Sequence, residues 1–156
     1  MQIKTAEENN IAQIVEMIRE FAAFENLSDY CEVTEANLRE AMFGENPCVE
    51  GLMAFDGETA VGYALFYENF ASFRGQRGFY LEDLYVKPEY RGRKIGEAIL
   101  VKLAQIARSR YFARIDFLVL DWNESAIKFY KKLGAAKDEE ERHFKFTDAA
   151  FEKLIK

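Results

Sequence analysis

Tyr80-Leu81-Glu82-Asp83-Leu84-Tyr85-Val86-Lys87-Pro88-Glu89-Tyr90-Arg91-Gly92-Arg93-Lys94-Ile95-Gly96 runs from an apolar, aromatic stretch into a basic turn containing glycine. Behind it, Ile95, Ile99, Leu100, Leu103, Ile106 and Ala107 recur at helical spacing. Proline has no amide hydrogen to give to a ladder, so Pro88 closes a strand over Phe79 to Val86, and the helix is predicted to begin close to Gly96. A turn of this kind suits an anion. Gly92 and Gly96 permit close backbone approach, the first helical turn leaves N–H groups unpaired, and the helix dipole adds positive potential. Arg91, Arg93 and Lys94 add full charges. Spacing alone leaves two readings open, a pyrophosphate nest and a tight connection.

Working outward, Arg114 to Leu120 reads as a compact buried strand, and Asn123-Glu124-Ser125 opens a further helix that stops at Leu133-Gly134. Strand, helix, strand, helix implies a parallel pair joined by a crossover. On the N-terminal side, Gln2 to Lys4 reads as a short strand. Ile11, Ile14, Val15, Ile18, Phe21 and Ala22 form a helical stripe behind a cap at Asn9 or Asn10. Thr34 caps a second helix running to about Phe43, where Gly44 stops it. Val49 to Phe55 and Thr59 to Phe66 flank Asp56-Gly57, a strong hairpin signal. Glu25 to Glu32 and Asn69 to Gly78 read as loops, His143 to Phe146 as a late strand, and Asp148 as the start of a terminal helix. The predicted class is α+β, a central mixed β-sheet flanked by helices, with residues 1–156 forming a single domain, since this length allows one good core and not two.

Hydrophobic residues make up 49% and charged residues 31%, with only two prolines, a composition that folds rather than staying disordered. A net charge of −6 argues against tracking a phosphate backbone, so no nucleic-acid partner is expected, and it suits a cationic substrate. The chain has no apolar run of membrane-spanning length and no signal-peptide pattern at its N-terminus, which predicts a cytoplasmic protein without a membrane partner. Cys31 and Cys48 lack metal-ligand spacing, so buried or idle thiols and no metal are expected. The single histidine, His143, is assigned a surface or sheet role.

Arg91-Gly92-Arg93-Lys94-Ile95-Gly96 resembles the coenzyme A pyrophosphate loop of the GCN5-related N-acetyltransferases, whose pattern is Gln/Arg-x-x-Gly-x-Gly/Ala. Arg91 and Gly96 match. Lys94 departs, standing where the family usually has glycine, so it must take up that backbone shape with a side chain attached, or else add a phosphate contact. Tyr80-Leu81-Glu82-Asp83, Tyr90-Arg91-Gly92, Phe117-Leu118-Val119, Trp122-Asn123-Glu124 and Phe129-Tyr130-Lys131 with Gly134-Ala135 extend the likeness across the chain. They are similar to the diamine branch, which includes spermidine/spermine and thialysine acetyltransferases.

The resemblance implies acetyl transfer from acetyl-coenzyme A to a small-molecule primary amine, in a ternary complex, without a metal. An alkyl ammonium near pKa 10.4 must first lose a proton, which at pH 7 costs about 4–5 kcal/mol. Glu82 matches the branch's general base, against the plainer reading of a solvated strand carboxylate. Tyr130 matches its general acid for the departing thiolate, against that of a core aromatic. Asp83 falls on the opposite face of a regular strand and is assigned a structural role. Leu84 and Val86 would grip the cofactor and polarise its carbonyl through backbone donors. Arg91, Gly92, Arg93, Lys94, Ile95 and Gly96 would hold the pyrophosphate, with Asn123 and Phe129 on the cofactor arm, although Asn123 is equally a helix cap. Glu25 would help to hold the substrate's distal ammonium. Arg74 and Arg77, in the loop before Glu82, would repel a long polyamine or bind the carboxylate of a lysine-like amino acid. The resemblance also implies a homodimer. The rivals are a protein lysine or N-terminal acetyltransferase, a non-catalytic acyl-coenzyme A binding module, and a phosphate-binding regulator.

Overall fold

The computed structural model describes residues 1–155, in two compact units, Met1–Leu118 and the residues from Val119 onward. The first unit is built on a sheet of five strands in the order β1 (Gln2–Thr5), β2 (Glu50–Asp56), β3 (Thr59–Ala71), β4 (Gln76–Val86) and β5 (Ile115–Asp116). The first four are antiparallel neighbours, and β5 lies parallel to β4. The mixed sheet with helices is therefore as predicted. Helices α1 (Ile11–Phe24) and α2 (Glu35–Phe43) cover one face. There Ile11, Ile14, Val15, Met17, Leu38 and Met42 pack on Met53, Tyr63, Leu65 and Tyr85. Helix α3 (Ile95–Ser109) covers the other face, burying Ile95, Ile99, Leu103 and Ala107 against Leu52, Ala64, Phe66, Phe79 and Leu81.

Local chemistry explains most boundaries. Thr34 Oγ1 accepts from Asn37 N at 3.1 Å while Thr34 N donates to Asn37 Oδ1 at 2.9 Å, a reciprocal box that starts α2. Asn10 lies at the start of α1, but its side chain accepts from Glu7 N at 2.9 Å, so it closes the turn before the helix rather than capping the helix itself. Asp56 pairs with Thr59 across a two-residue turn whose first member, Gly57, has φ +63°, as the hairpin signal required.

Two predicted segments change length. Residues 69–78 are not a loop: Asn69 pairs with Gly78, Phe70 with Arg77 and Ala71 with Gln76, leaving only Ser72–Gly75 to turn the chain. The β3–β4 ladder outlasts its apolar run because backbone pairing continues where side chains have become polar. In contrast, β5 is confined to Ile115–Asp116, and Leu118 is exposed. Beyond Tyr80, β4 has no strand partner on its β5 side among the described residues, so the β4–β5 ladder ends there.

The second unit holds α4 (Glu124–Lys132) and α5 (Asp148–Ile155). Asn123 Oδ1 accepts from Ala126 N at 3.1 Å and caps α4. Gly134 takes φ +94° after its end, as read from the sequence. His143 to Phe146 is not a strand, because no described segment pairs with it and an extended run without a ladder partner is irregular chain. Cys48 is exposed and Cys31 half-buried, so of the two readings, buried or idle thiols, the buried one does not hold; both are free.

Candidate active site

The ladder between β3 and β4 pairs Leu65 with Asp83 but Phe66 with Leu81. Glu82 is therefore an extra residue on β4, a β-bulge in the middle of the strand. The bulge overturns the expectation that Glu82 and Asp83 face opposite sides, because one inserted residue shifts the alternation. Phe79 and Leu81 belong to the α3 face, whereas Tyr85, after the bulge, belongs to the α1 face. Asp83 follows Tyr85: its carboxylate accepts from Tyr63 Oη at 3.1 Å. Glu82 lies exposed at the same side, where its charge is felt by Asp83, Tyr67 and Tyr80.

Carboxylates converge here. Burial raises Asp83 to about 6, and the charges of Glu82 and Glu25 push the same way against the Tyr63 hydrogen bond. Glu25, at the C-terminal end of α1, is itself raised by burial. The structure thus brings Glu25 within electrostatic reach of the bulge. Beside Glu82, the rings of Tyr67 and Tyr80 stack at 5.2 Å, and both phenols are raised by burial first and by Glu82 second. Neither tyrosine was singled out from sequence, since the pairing that joins them depends on register.

Asp83 yields a prediction. Its folded pKa lies above the unfolded value, so the native state holds a proton that the unfolded chain has lost, and stability declines as pH rises from about 4 through 6. Asp83→Asn should remove that decline, gaining about 2–3 kcal/mol over the parent at pH 7.5 and little at pH 4. Urea unfolding of both proteins at the two pH values checks it.

The basic turn follows the end of β4 that has no ladder to β5. Gly92 has φ +77°, and Lys94 occupies the left-handed region at φ 60°, ψ 19°, the backbone shape required where the family has glycine. Ala98 is the first α3 amide satisfied within the helix, by Lys94 O at 3.0 Å, so the amides of Ile95, Gly96 and Glu97 point out of its N-terminal end. Both arginines of the turn are tied into the protein. Arg91 Nε donates to Val86 O at 2.9 Å and its guanidinium lies 4.8 Å from the Phe24 ring, next to Glu25 in the chain. Arg93 pairs with Asp56 at 3.0 Å and lies over Tyr90. A left-handed non-glycine residue costs about 1 kcal/mol. Lys94→Gly should therefore raise stability by about that amount in thermal unfolding, and calorimetry with coenzyme A then reads whether the ammonium adds a phosphate contact.

Arg77 lies on the wrong side of the sheet for the substrate role considered above. It forms an ion pair with Glu68 and stacks 5.2 Å from Phe112, on the α3 face. Arg74 is in the turn at the far end of the β3–β4 hairpin. In the second unit, Tyr130 and Phe129 meet edge to face at 5.0 Å on α4, and burial pushes the Tyr130 phenol up to about 12. No group of His, Cys, Asp and Glu suited to a metal ion occurs among the described residues. No described helix is long and apolar enough to cross a membrane.

A mixed sheet with a bulge in β4, followed by a glycine-containing basic turn and a helix whose first amides are unpaired within the helix, is the fold of an acetyltransferase. The chain belongs to the acetyltransferase (GNAT) family, whose sequence model matches residues 12–135; it is an N-acetyltransferase. It is 43% identical to the thialysine N-epsilon-acetyltransferase of Sus scrofa over 85% of this chain and 82% of that protein. The Bos taurus enzyme of the same name is 41% identical over 86% and 84%. Among solved structures, an integron cassette protein of Vibrio cholerae superposes with a TM-score of 0.84 at 26% identity, covering 99% of this chain and 97% of that one.

Proposed function

We propose that this acetyltransferase acts on the side-chain amine of a small amino acid of the lysine or thialysine type, residues 1–156 working as one domain. The observation that carries the reading is the bulge at Glu82, which brings a solvent-accessible carboxylate beside Asp83 and Glu25 just past the end of the β4–β5 ladder. The thialysine enzymes it resembles supply the substrate class.

The site fits acetyl-coenzyme A as co-substrate. Amides at the start of α3 and the backbone of Gly92 to Gly96 would hold the pyrophosphate, and the β4 edge at Leu84 to Val86, past the end of its ladder to β5, would hold the pantetheine arm. Arg91 and Arg93 would support the loop as well as its charge, given their contacts to Val86, Phe24 and Asp56. Asn123 and Phe129 are assigned to the same arm. Glu82 takes the proton of the substrate ammonium, directly or through water, and the amine attacks the thioester carbonyl. Backbone N–H donors of β4 past the bulge stabilise the developing oxyanion. Tyr130, fully protonated at neutral pH, donates to the sulfur as the C–S bond breaks; a thiol near pKa 8.5 is the stronger acid, so the phenol acts through that hydrogen bond and not by complete transfer. A homodimer accords with the exposure of Phe144, Phe146, Phe151, Leu154 and Ile155 toward the C-terminus. Light scattering that returned only an 18 kDa species would count against the dimer.

The test of the activity is direct: acetyl-coenzyme A with a panel of thialysine, lysine, ornithine, diamines, polyamines and a lysine-containing peptide, followed by thiol release and mass spectrometry. Turnover confined to the peptide, or to none of them, rejects the proposal.

A further inference from the structure

The α1-side face of the sheet carries a second polar group beyond Tyr80. Asp116 stands beside Tyr80 in the parallel register of β4 and β5. Arg114 holds it with two hydrogen bonds, Nε to Oδ2 at 2.8 Å and Nη2 to Oδ1 at 2.6 Å, and Asn69 Nδ2 donates to the same Oδ2 at 2.8 Å. These bonds keep the Asp116 carboxyl below its usual range, the Arg114 bonds contributing most. Tyr80 stands beside Asp116 in the ladder and two residues from Glu82 along β4, and its phenol is raised by burial, then by Glu82, then by Asp116. The side chains of Arg114 and Asp116 keep 34% and 32% of their surface accessible, enough for a small molecule to reach them.

Each end of this strip has its own chemistry. At one end lies the proton acceptor, flanked by Asp83 and Glu25. In the middle is the aromatic surface of Tyr67 and Tyr80. At the other end, a guanidinium and a carboxylate lie side by side. The ends are two residues apart along β4 and one strand across, roughly 8 Å by the rise per residue and strand spacing. A diamine has nothing for the guanidinium, whereas an α-amino acid carries an ammonium and a carboxylate on one carbon, the mirror of the Arg114 and Asp116 pair. Both arginines that the sequence offered for this purpose are excluded by position, Arg77 on the opposite face and Arg74 at the hairpin tip.

We propose that Arg114 and Asp116, with Asn69 holding Asp116 in place, form the subsite that reads the α-ammonium and α-carboxylate of the substrate amino acid, while its side-chain amine extends over Tyr80 and Tyr67 to Glu82. The proposal rests on the functional reading above and deepens it: the pair selects free amino acids over diamines. Arg114 and Asp116 are specificity residues, remote from the reacting atoms.

The first experiment needs no variant. The wild-type enzyme is given thialysine, thialysine methyl ester and the corresponding decarboxylated diamine. A charge-assisted pair predicts a KM roughly tenfold to a hundredfold higher for the ester and the diamine, with kcat much less affected. Equal KM values for all three overturn the subsite. The second uses Arg114→Gln and the neutral double variant Arg114→Gln/Asp116→Asn. In either, the ratio of kcat/KM for thialysine over the diamine falls by a similar factor; a ratio held at the wild-type value overturns the proposal. If the wild-type enzyme acetylates none of the three, the functional reading has failed. If it acetylates all three without preference, only the subsite has.

Discussion

Glu82→Gln lowers kcat for the amine substrate by about a hundredfold to ten-thousandfold, the range that a positioned general base contributes. The side chain is exposed on a bulge, so the substitution leaves the core untouched, and coenzyme A binding measured by calorimetry stays at the wild-type level. The deficit is also pH-dependent. Below the amine's own pKa near 10.4, Glu82 relieves the enzyme of waiting for the rare neutral amine. As the assay approaches pH 10, solvent supplies that form and the gap between variant and parent narrows. A pH–rate profile in which the two proteins run parallel would show that Glu82 does something other than accept a proton. An unchanged kcat would remove it from the chemistry altogether. Tyr130→Phe is the companion measurement, and its loss appears in kcat with acetyl-coenzyme A.

Phe79→Ala destabilises the protein by about 3–5 kcal/mol, the cost of deleting a fully buried aromatic ring and leaving the cavity. Phe79 has no exposed surface, and its ring meets Phe66 at 4.9 Å and Phe112 at 5.1 Å, both edge to face, with the Arg110 guanidinium 5.3 Å away. For a domain whose total stability is roughly 5–15 kcal/mol, that loss shifts the urea midpoint far down. The effect extends to the site, because Phe79 and Tyr80 are the two residues that register β4 against β5. Phe79→Leu, which keeps most of the volume, costs appreciably less. Equal midpoints for the alanine variant and the parent would mean that this core is not closely packed.

Much of this was readable in the residues. Helices α1, α2, α3 and α4 each carry a stripe of apolar residues or a capping side chain whose spacing is a local property, and so does the hairpin at Asp56-Gly57. The basic turn was equally legible, and the left-handed backbone at Lys94 followed from a single mismatch with the family pattern. The lengths of β3 and β5 were misjudged because a strand ends where its partner ends, and neither apolar content nor turn residues report on the partner. The bulge at Glu82 was invisible for the same reason. Tyr80-Leu81-Glu82-Asp83 reads as plain alternation, and only the ladder to Leu65 and Phe66 shows that one residue is extra.

By itself, then, the sequence determined where the helices and the Asp56-Gly57 hairpin lie and marked the basic turn, since these are written in spacing along the chain, and its likeness to the family singled out Glu82. Which face Asp83 takes, which face Arg77 takes and which tyrosines stand beside Glu82 were decided only by tertiary structure. Those are relations between strands, fixed by hydrogen-bond register, and a shift of one residue in the register reverses every answer.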